Sequence, residues 1–326
     1  MPEAVTASSG FVGVRMPRHP TALALLEAAA VPVAAPSANR FGHVSPTRPE
    51  HVMHDLGEHP ILVLTPDERV PDERRGAAEE AAAPPLCCAV GIESTVLKLD
   101  ASAGELVLLR RGGVSEAELQ RWLDANPCDF ALRRQRTHTD TAAEAAGVSE
   151  VAPAPPSLGE DEAAGEEQGE GEGGGMVAPG MLLTHYSPDL PAYLTSSSAS
   201  SGAMAAGGGS AAGATFPTSS AVVLDFGGRL ARLSAAAAAY RDLSPAGDAA
   251  EASTRVFEAL RWAEQQGASG GRVVLLPNLT ATDGDTAARS DESVPALADR
   301  LFRAASGQTA HLSVGDTDVV VDARQS

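Results

Sequence analysis

The sequence predicts an α/β protein in two unequal folded parts joined by an acidic connection. Three observations predict it. Short apolar runs of strand length alternate with amphipathic stretches of helix length in both flanks. Residues 137–228 contain 12 acidic residues and no Lys or Arg. Inside that interior, Ala178 to Tyr193 alone carries the Pro, Met, Leu, His and Tyr of an ordered segment. The expected boundaries are therefore a first α/β part at 1–136, a disordered acidic linker at 137–177 and an ordered motif at 178–193. A flexible Ser/Gly/Ala-rich stretch at 194–220 and a small C-terminal α/β domain at 221–315 follow.

In the first part, Pro20 to Ala30 reads as a helix opened by proline, with Leu23 and Leu26 on its apolar side. Val31 to Ala34 then reads as a short buried strand. Ala35 to Pro46 is a loop of small polar residues with Pro/Gly punctuation. Thr47 to Leu56 is expected to be helical, with Thr47 and Glu50 at capping-box spacing. Ile61 to Leu64 reads as a strand and Pro66 to Pro85 as a charged surface insertion. Gly91 to Leu99 and Glu105 to Leu109 read as paired strands joined by Asp100 to Gly104. Ser115 and Glu118 have capping-box spacing for a helix running to Leu123.

The linker composition cannot offset about 1–2 kcal/mol of backbone ordering per residue, with seven acids from Glu160 to Glu172 and no hydrophobic period. Beyond it, Ala221 to Phe226 and Arg272 to Leu276 read as buried strands. Ala249 to Gln266 and Val294 to Ala305 read as helices, so a parallel sheet with right-handed crossovers is expected.

The chain has 326 residues and a formal charge of −19. Residues 1–136 hold 14 basic and 18 acidic residues, and residues 229–326 hold 10 and 13, so the flanks are nearly balanced. A strongly basic nucleic-acid surface is excluded, leaving only local contact with RNA. No run reaches the roughly 18 apolar residues of a membrane span. Three Cys, two of them adjacent at Cys87 and Cys88, give no disulfide framework and favour a reducing, cytoplasmic setting. The first residues lack the basic and apolar regions of a secretory signal.

Ala34-Ala35-Pro36-Ser37-Ala38-Asn39, with Gly42 and Ser45-Pro46-Thr47, sets hydroxyls, an amide and backbone N–H groups on a stiffened loop before a helix. That suits a phosphate or anion cradle, and it equally suits an ordinary turn. Arg15 at a predicted strand end offers either a fork for a carboxylate or a surface ion pair. Ser94 and Thr95 in Glu93-Ser94-Thr95-Val96 fit a binding strand or solvent-facing hydroxyls. Arg110 ends the second hairpin strand, where it can reach a phosphate. His43, His51, His54 and His59 cluster without a convincing ligand set for a metal. No GxGxxG or P-loop is present.

The order and spacing of the whole set carry a resemblance. Val12-Gly13-Val14-Arg15-Met16-Pro17, the Pro36-Ser37-Ala38-Asn39 loop, Gly91-Ile92-Glu93-Ser94-Thr95-Val96 and Leu109-Arg110-Arg111-Gly112-Gly113 resemble the second half of the YrdC/Sua5 domain. Pro179-Gly180-Met181 with His185-Tyr186-Ser187-Pro188 resembles the linker of the two-domain Sua5 form. Leu297 to Ala305 is similar to its small C-terminal domain. The fold implied is the C-terminal half of a YrdC-like twisted α/β sheet domain, a disordered acidic linker and a Rossmann-like C-terminal domain.

The resemblance implies a threonylcarbamoyl-AMP synthase, which converts L-threonine, bicarbonate and ATP with Mg²⁺ to threonylcarbamoyl-adenylate and diphosphate. The product feeds the tRNA-modification machinery that makes t6A at position 37. Carried over residue by residue, Arg15 holds the threonine carboxylate, with the Ala35 backbone and Ser94 completing that pocket. Ser37, Ser45 and Arg110 hold ATP, Asn39 and Thr47 support their loop, and Tyr186 closes over the nucleotide. The family's Lys/Arg-rich triphosphate motif has no counterpart, and Lys98 is the only lysine. Arg111 and Phe11 also replace the usual Pro and Thr. The expectation is an incomplete sequence, inactive alone. The alternative is a non-catalytic remnant binding RNA or a protein partner, since the family is associated with double-stranded RNA.

Overall fold

Apolar runs flanked by helices pack here into two sheets of different character. The computed structural model describes residues 5–6, 10–65, 90–135, 183, 185–195, 214–279, 292–313 and 315–322. The expected insertion at 66–85, Cys87-Cys88 and the acidic linker lie outside them.

In the first part, α1 spans Pro20–Ala29, with Pro20 in its first turn and His19 Nδ1 accepting the Thr21 N–H at 3.2 Å. Helix α2 spans Pro49–Leu56. Its N-cap is Arg48 rather than Thr47, because Pro49 fixes the first helical position; Thr47 instead gives its N–H to His51 Nδ1 at 3.2 Å. Strand β1 (Val96–Asp100) pairs antiparallel with β2 (Glu105–Arg110), and α3 (Glu116–Ala125) crosses over to β3 (Ala131–Arg134), parallel to β2. The Ser115–Glu118 capping box forms as expected.

Two expected strands are absent. Residues 31–34 and 61–64 join no strand pairing among the described residues, and Val31 is 62% and Leu62 86% exposed. A strand needs a neighbour for its N–H and C=O groups, and apolar composition does not supply one. Residues 91–95 also stay outside the hairpin. Gly91 (φ +76°) bends the chain onto the second part so closely that a Cβ there would lie 2.2 Å from Ser253 O.

The second part is a seven-stranded sheet. Its strands are β4 (Ala192–Thr195), β5 (Thr215–Pro217), β6 (Ala221–Asp225), β7 (Ala239–Asp242), β8 (Val273–Leu276), β9 (Thr309–Leu312) and β10 (Asp318–Val321). Their order is β5-β10-β9-β4-β8-β6-β7, and only β10 runs against the others, pairing antiparallel with β9 on one side and β5 on the other. Every residue of β6 and β8 is buried, as expected of parallel strands covered on both faces. Helices α4 (Ala249–Gln265) and α5 (Val294–Ala304) cover one face, where Val222, Leu224, Val274 and Leu276 meet Val256, Leu260, Leu297 and Leu301.

The boundaries of this domain differ from the sequence reading. Residues 192–195 form a central strand between β8 and β9, and 215–217 and 318–321 form its antiparallel edge. The stretch expected to be flexible from 194 to 220 therefore has an ordered strand near each end. The reason is pairing: β4 acquires partners on both sides that its own four residues do not announce.

Candidate functional site

The two parts and the connecting motif meet at one seam, and Glu93 is its hub. Ser45 Oγ donates to Glu93 Oε1 at 2.7 Å, and Arg300 Nε donates to Glu93 Oε2 at 3.2 Å. The Glu93 carbonyl accepts the Gly113 N–H at 3.0 Å. Gly112 makes this approach possible, since a Cβ there would lie 2.3 Å from Thr95 N and 2.4 Å from Glu93 O. Arg110 crosses the same turn, donating through Nε and Nη2 to Ser94 O at 3.3 and 2.9 Å.

Tyr186 fills the centre of the seam. It is 1% exposed and adopts a left-handed backbone, φ 62°. Its ring lies 4.1 Å from that of His185 and 5.1 Å from that of Phe257 on α4, with the Arg300 guanidinium 5.7 Å from its centre. Burial, then the nearby Glu93 charge, pushes the Tyr186 hydroxyl up to about 12, so it stays protonated. Burial lowers His185, helped by Arg110, Arg303 and Arg300. Tyr186 OH, His185 Nδ1 and Arg300 Nη2 are buried with no hydrogen-bond partner among the described residues. The Ser187 N–H donates to Gly42 O at 3.1 Å and pins the motif to the loop.

The structure sorts the candidate residues into two groups. Ser45, Arg110 and Tyr186 converge on Glu93 and Arg300. Asn39 supports the loop by donating Nδ2 to His43 O at 2.9 Å, and Thr47 meets His51 just before α2. Arg15, Ala35, Ser37 and Ser94 are exposed; Ser94 touches that convergence through its carbonyl, which accepts from Arg110, and Arg15 has no ion-pair partner among the described residues. Glu93 and Arg300 carried no role in the sequence reading. The legible signal was an arginine inside the apolar stripe of Leu297-Ala298-Asp299-Arg300-Leu301.

A second cluster locks the seam. His43, 5% exposed, has Nδ1 3.2 Å from Asp55 Oδ2 and Nε2 2.6 Å from Glu264 Oε1. Arg261 forks onto Asp55, Nη1 to Oδ1 at 3.0 Å and Nη2 to Oδ2 at 2.7 Å. The Arg261 guanidinium, His54 Nδ1 (3.2 Å from Asp55 Oδ1) and His43 together hold the Asp55 carboxyl well below the usual range despite burial. His43, Asp189 and Glu264 have metal-like spacing, but Arg40 Nη2 stands 3.2 Å from His43 Nε2 and 3.1 Å from Asp189 Oδ2. A cation already occupies that corner. Each Glu93 oxygen already accepts one donor, Ser45 Oγ on one and Arg300 Nε on the other.

The Sua5/YciO/YrdC family model, described as telomere recombination, matches residues 1–74, and the threonylcarbamoyl-AMP synthase C-terminal domain matches residues 143–306. The chain is similar to the threonylcarbamoyl-AMP synthase of Bacillus subtilis, 31% identical over 188 residues, covering 57% of this chain and 37% of the relative. The Schizosaccharomyces pombe enzyme of the same name is 39% identical over 117 residues, 36% of this chain and 23% of its own. The chain thus spans well under half the length of these relatives. The crystal structure of Pyrococcus abyssi Sua5 complexed with L-threonine superposes with TM-score 0.53 at 21% identity, covering 93% of this chain and 66% of that one. The C-terminal match alone spans half of the chain, and on that ground the chain belongs to the Sua5 family of threonylcarbamoyl-AMP synthases.

Proposed function

We propose that the chain is part of a synthase that makes threonylcarbamoyl-adenylate from L-threonine, bicarbonate and ATP in the cytoplasm, for t6A formation in tRNA. The single observation that carries the reading is the closure of the linker motif. Tyr186, buried and left-handed, packs on Phe257 and Arg300, and Arg300 and Ser45 both donate to Glu93 beside Arg110. That arrangement supports a reading in which Ser45 and Arg110 meet the nucleotide and Tyr186 covers it.

In the proposed reaction the threonine amine and bicarbonate first condense to a carbamate, releasing water. A carbamate oxygen then attacks the α-phosphorus of ATP, forming a P–O bond, and diphosphate leaves with the electrons of the broken α–β bridge. The chain's own contribution is orientation and charge. Arg110 and Ser45 donate to phosphate oxygens, Asn39 keeps the 39–43 turn in shape, and Thr47 supports the start of α2. Arg15, Ala35 and Ser94 hold threonine, and the exposed Ser37 hydroxyl meets ATP. Magnesium, when bound, neutralises the triphosphate, and the substrate phosphates would be its ligands. Tyr186 excludes water as the motif closes.

The second reading, a non-catalytic module, is favoured by one observation. Val14, Met16, Phe41 and Leu62 are largely exposed, and exposed apolar side chains suit a protein partner rather than RNA.

The test is diphosphate release by the 326-residue chain and by a form extended to the length of its relatives. Release from the extended form that needs ATP, threonine and bicarbonate together supports the synthase. Its absence there, or release indifferent to threonine, overturns it. The chain alone is expected to be inactive, because its residues lack the cationic triphosphate motif that the family implies.

A further inference from the structure

We propose that the C-terminal domain carries a second binding site, for the carboxylate or phosphate group of a small metabolite, with Arg241 as its principal donor. The site is a cavity of about 290 Å³ at the carboxyl end of β7, walled by Arg241, Asp242, Leu243, Arg255, Glu258 and Ala259. It shares no residue with the Glu93 seam and does not depend on the synthase reading.

The hydrogen-bond accounting of the four charged walls points to an anion. Asp242 is committed to backbone, accepting the Gly228 N–H at 3.0 Å and the Ser244 N–H at 2.9 Å. Glu258 pairs with Arg48 of the first part at 3.2 Å. Arg255 pairs with Glu251 at 2.7 Å and donates to Leu243 O at 3.2 Å. Arg241 differs: it has no carboxylate partner among the described residues.

Its guanidinium is nevertheless held in place. The central carbon lies 4.3 Å from the centre of the Trp262 ring, and the side chain is half-buried. An arginine stacked by its face keeps its N–H edge free, and that edge matches a carboxylate or phosphate bidentately. The stacking also fixes the side chain in advance, which lowers the ordering cost of binding. The volume, at the low end for ligand pockets, suits a metabolite and not a polymer. The two carboxylates in the wall disfavour a polyanion such as RNA.

Trp262 supplies the readout. The chain has two tryptophans, so Trp122→Phe leaves Trp262 as the sole indole. Its emission is followed while potassium phosphate, or separately potassium acetate, is added at constant ionic strength against potassium chloride. The expected result is a saturable change with at least one of the two, and the one that saturates at lower concentration identifies the group. Arg241→Met should raise that Kd at least tenfold, and Arg241→Lys, which keeps charge but loses the fork, severalfold. Circular dichroism checks folding, and the lysine variant decides if the methionine variant is misfolded. No saturable change with either anion, or a Kd unmoved by the folded variants, overturns the site.

Discussion

His43 and Glu264 meet 2.6 Å apart across the seam, joining the 39–45 loop of the first part to the last turns of α4. Asp55 takes the other imidazole nitrogen, Arg40 and Asp189 stand beside it, and Arg261 neutralises Asp55. This cluster makes the seam sensitive to pH from both sides.

The Glu264 hydrogen bond outweighs burial and raises His43 above its ordinary value. A raised histidine adds stability that is fully present below its unfolded value near 6.5 and is lost as pH rises through its folded value. Asp55 has the opposite sign: its contribution is present above the ordinary carboxylate range and is lost in strong acid. Thermal unfolding from pH 5 to 9 should therefore show a decline on the alkaline side that His43→Gln removes. An unchanged slope in the variant would assign the decline to other groups.

Arg261 and Asp55 form a buried bidentate pair, 5% and 0% exposed at their side chains. Removing one partner strands a charge, so Asp55→Ala should cost about 3–5 kcal/mol in urea unfolding. Replacing both by apolar residues of similar size should recover most of that loss. A loss that simply adds in the double variant would mean that the charges act independently.

Tyr186 separates packing from function. Its buried hydroxyl has no partner among the described residues, so Tyr186→Phe should leave stability within about 1 kcal/mol or raise it. Tyr186→Ala should cost about 3–5 kcal/mol by leaving a cavity against Phe257. A Phe variant as unstable as the Ala variant would show that the hydroxyl is satisfied after all.

Gly91 is the tightest backbone approach of the first part to α4 described above. An alanine there meets both a left-handed backbone and Ser253 O at 2.2 Å, too close for any Cβ. Gly91→Ala should loosen the seam by more than about 1 kcal/mol and speed cleavage between 183 and 190 in limited proteolysis. Unaltered protection would show that the seam absorbs the methyl group.

In the extended form, Arg15→Ala should raise the threonine KM by roughly ten- to a hundredfold, the equivalent of a charge-assisted hydrogen bond of about 1.5–3 kcal/mol. Ser37→Ala should weaken ATP use by about 1 kcal/mol, since water partly replaces a hydroxyl. Both are exposed, so folding should be unaffected by circular dichroism. A threonine dependence unchanged by Arg15→Ala would assign the carboxylate to another residue.

The sequence by itself determined the elements whose stability is local or one-dimensional. Ala221–Leu224 and Val273–Leu276 are apolar throughout, and such runs bury in a parallel sheet whatever lies beside them. Helices α4 and α5 follow from their periodicity, and α3 from its capping box, which closes within four residues. The order of short motifs was likewise enough to show the family. Only the tertiary structure decided what depends on neighbours far along the chain. Val31 to Ala34 has strand composition but no strand to pair with, whereas Ala192–Thr195 lies between β8 and β9, which come later in the sequence. Glu93 and Arg300 are 207 positions apart, and His43 and Glu264 are 221 apart. A buried charge is settled by the partner that neutralises it, and local pattern carries no record of a partner at that distance.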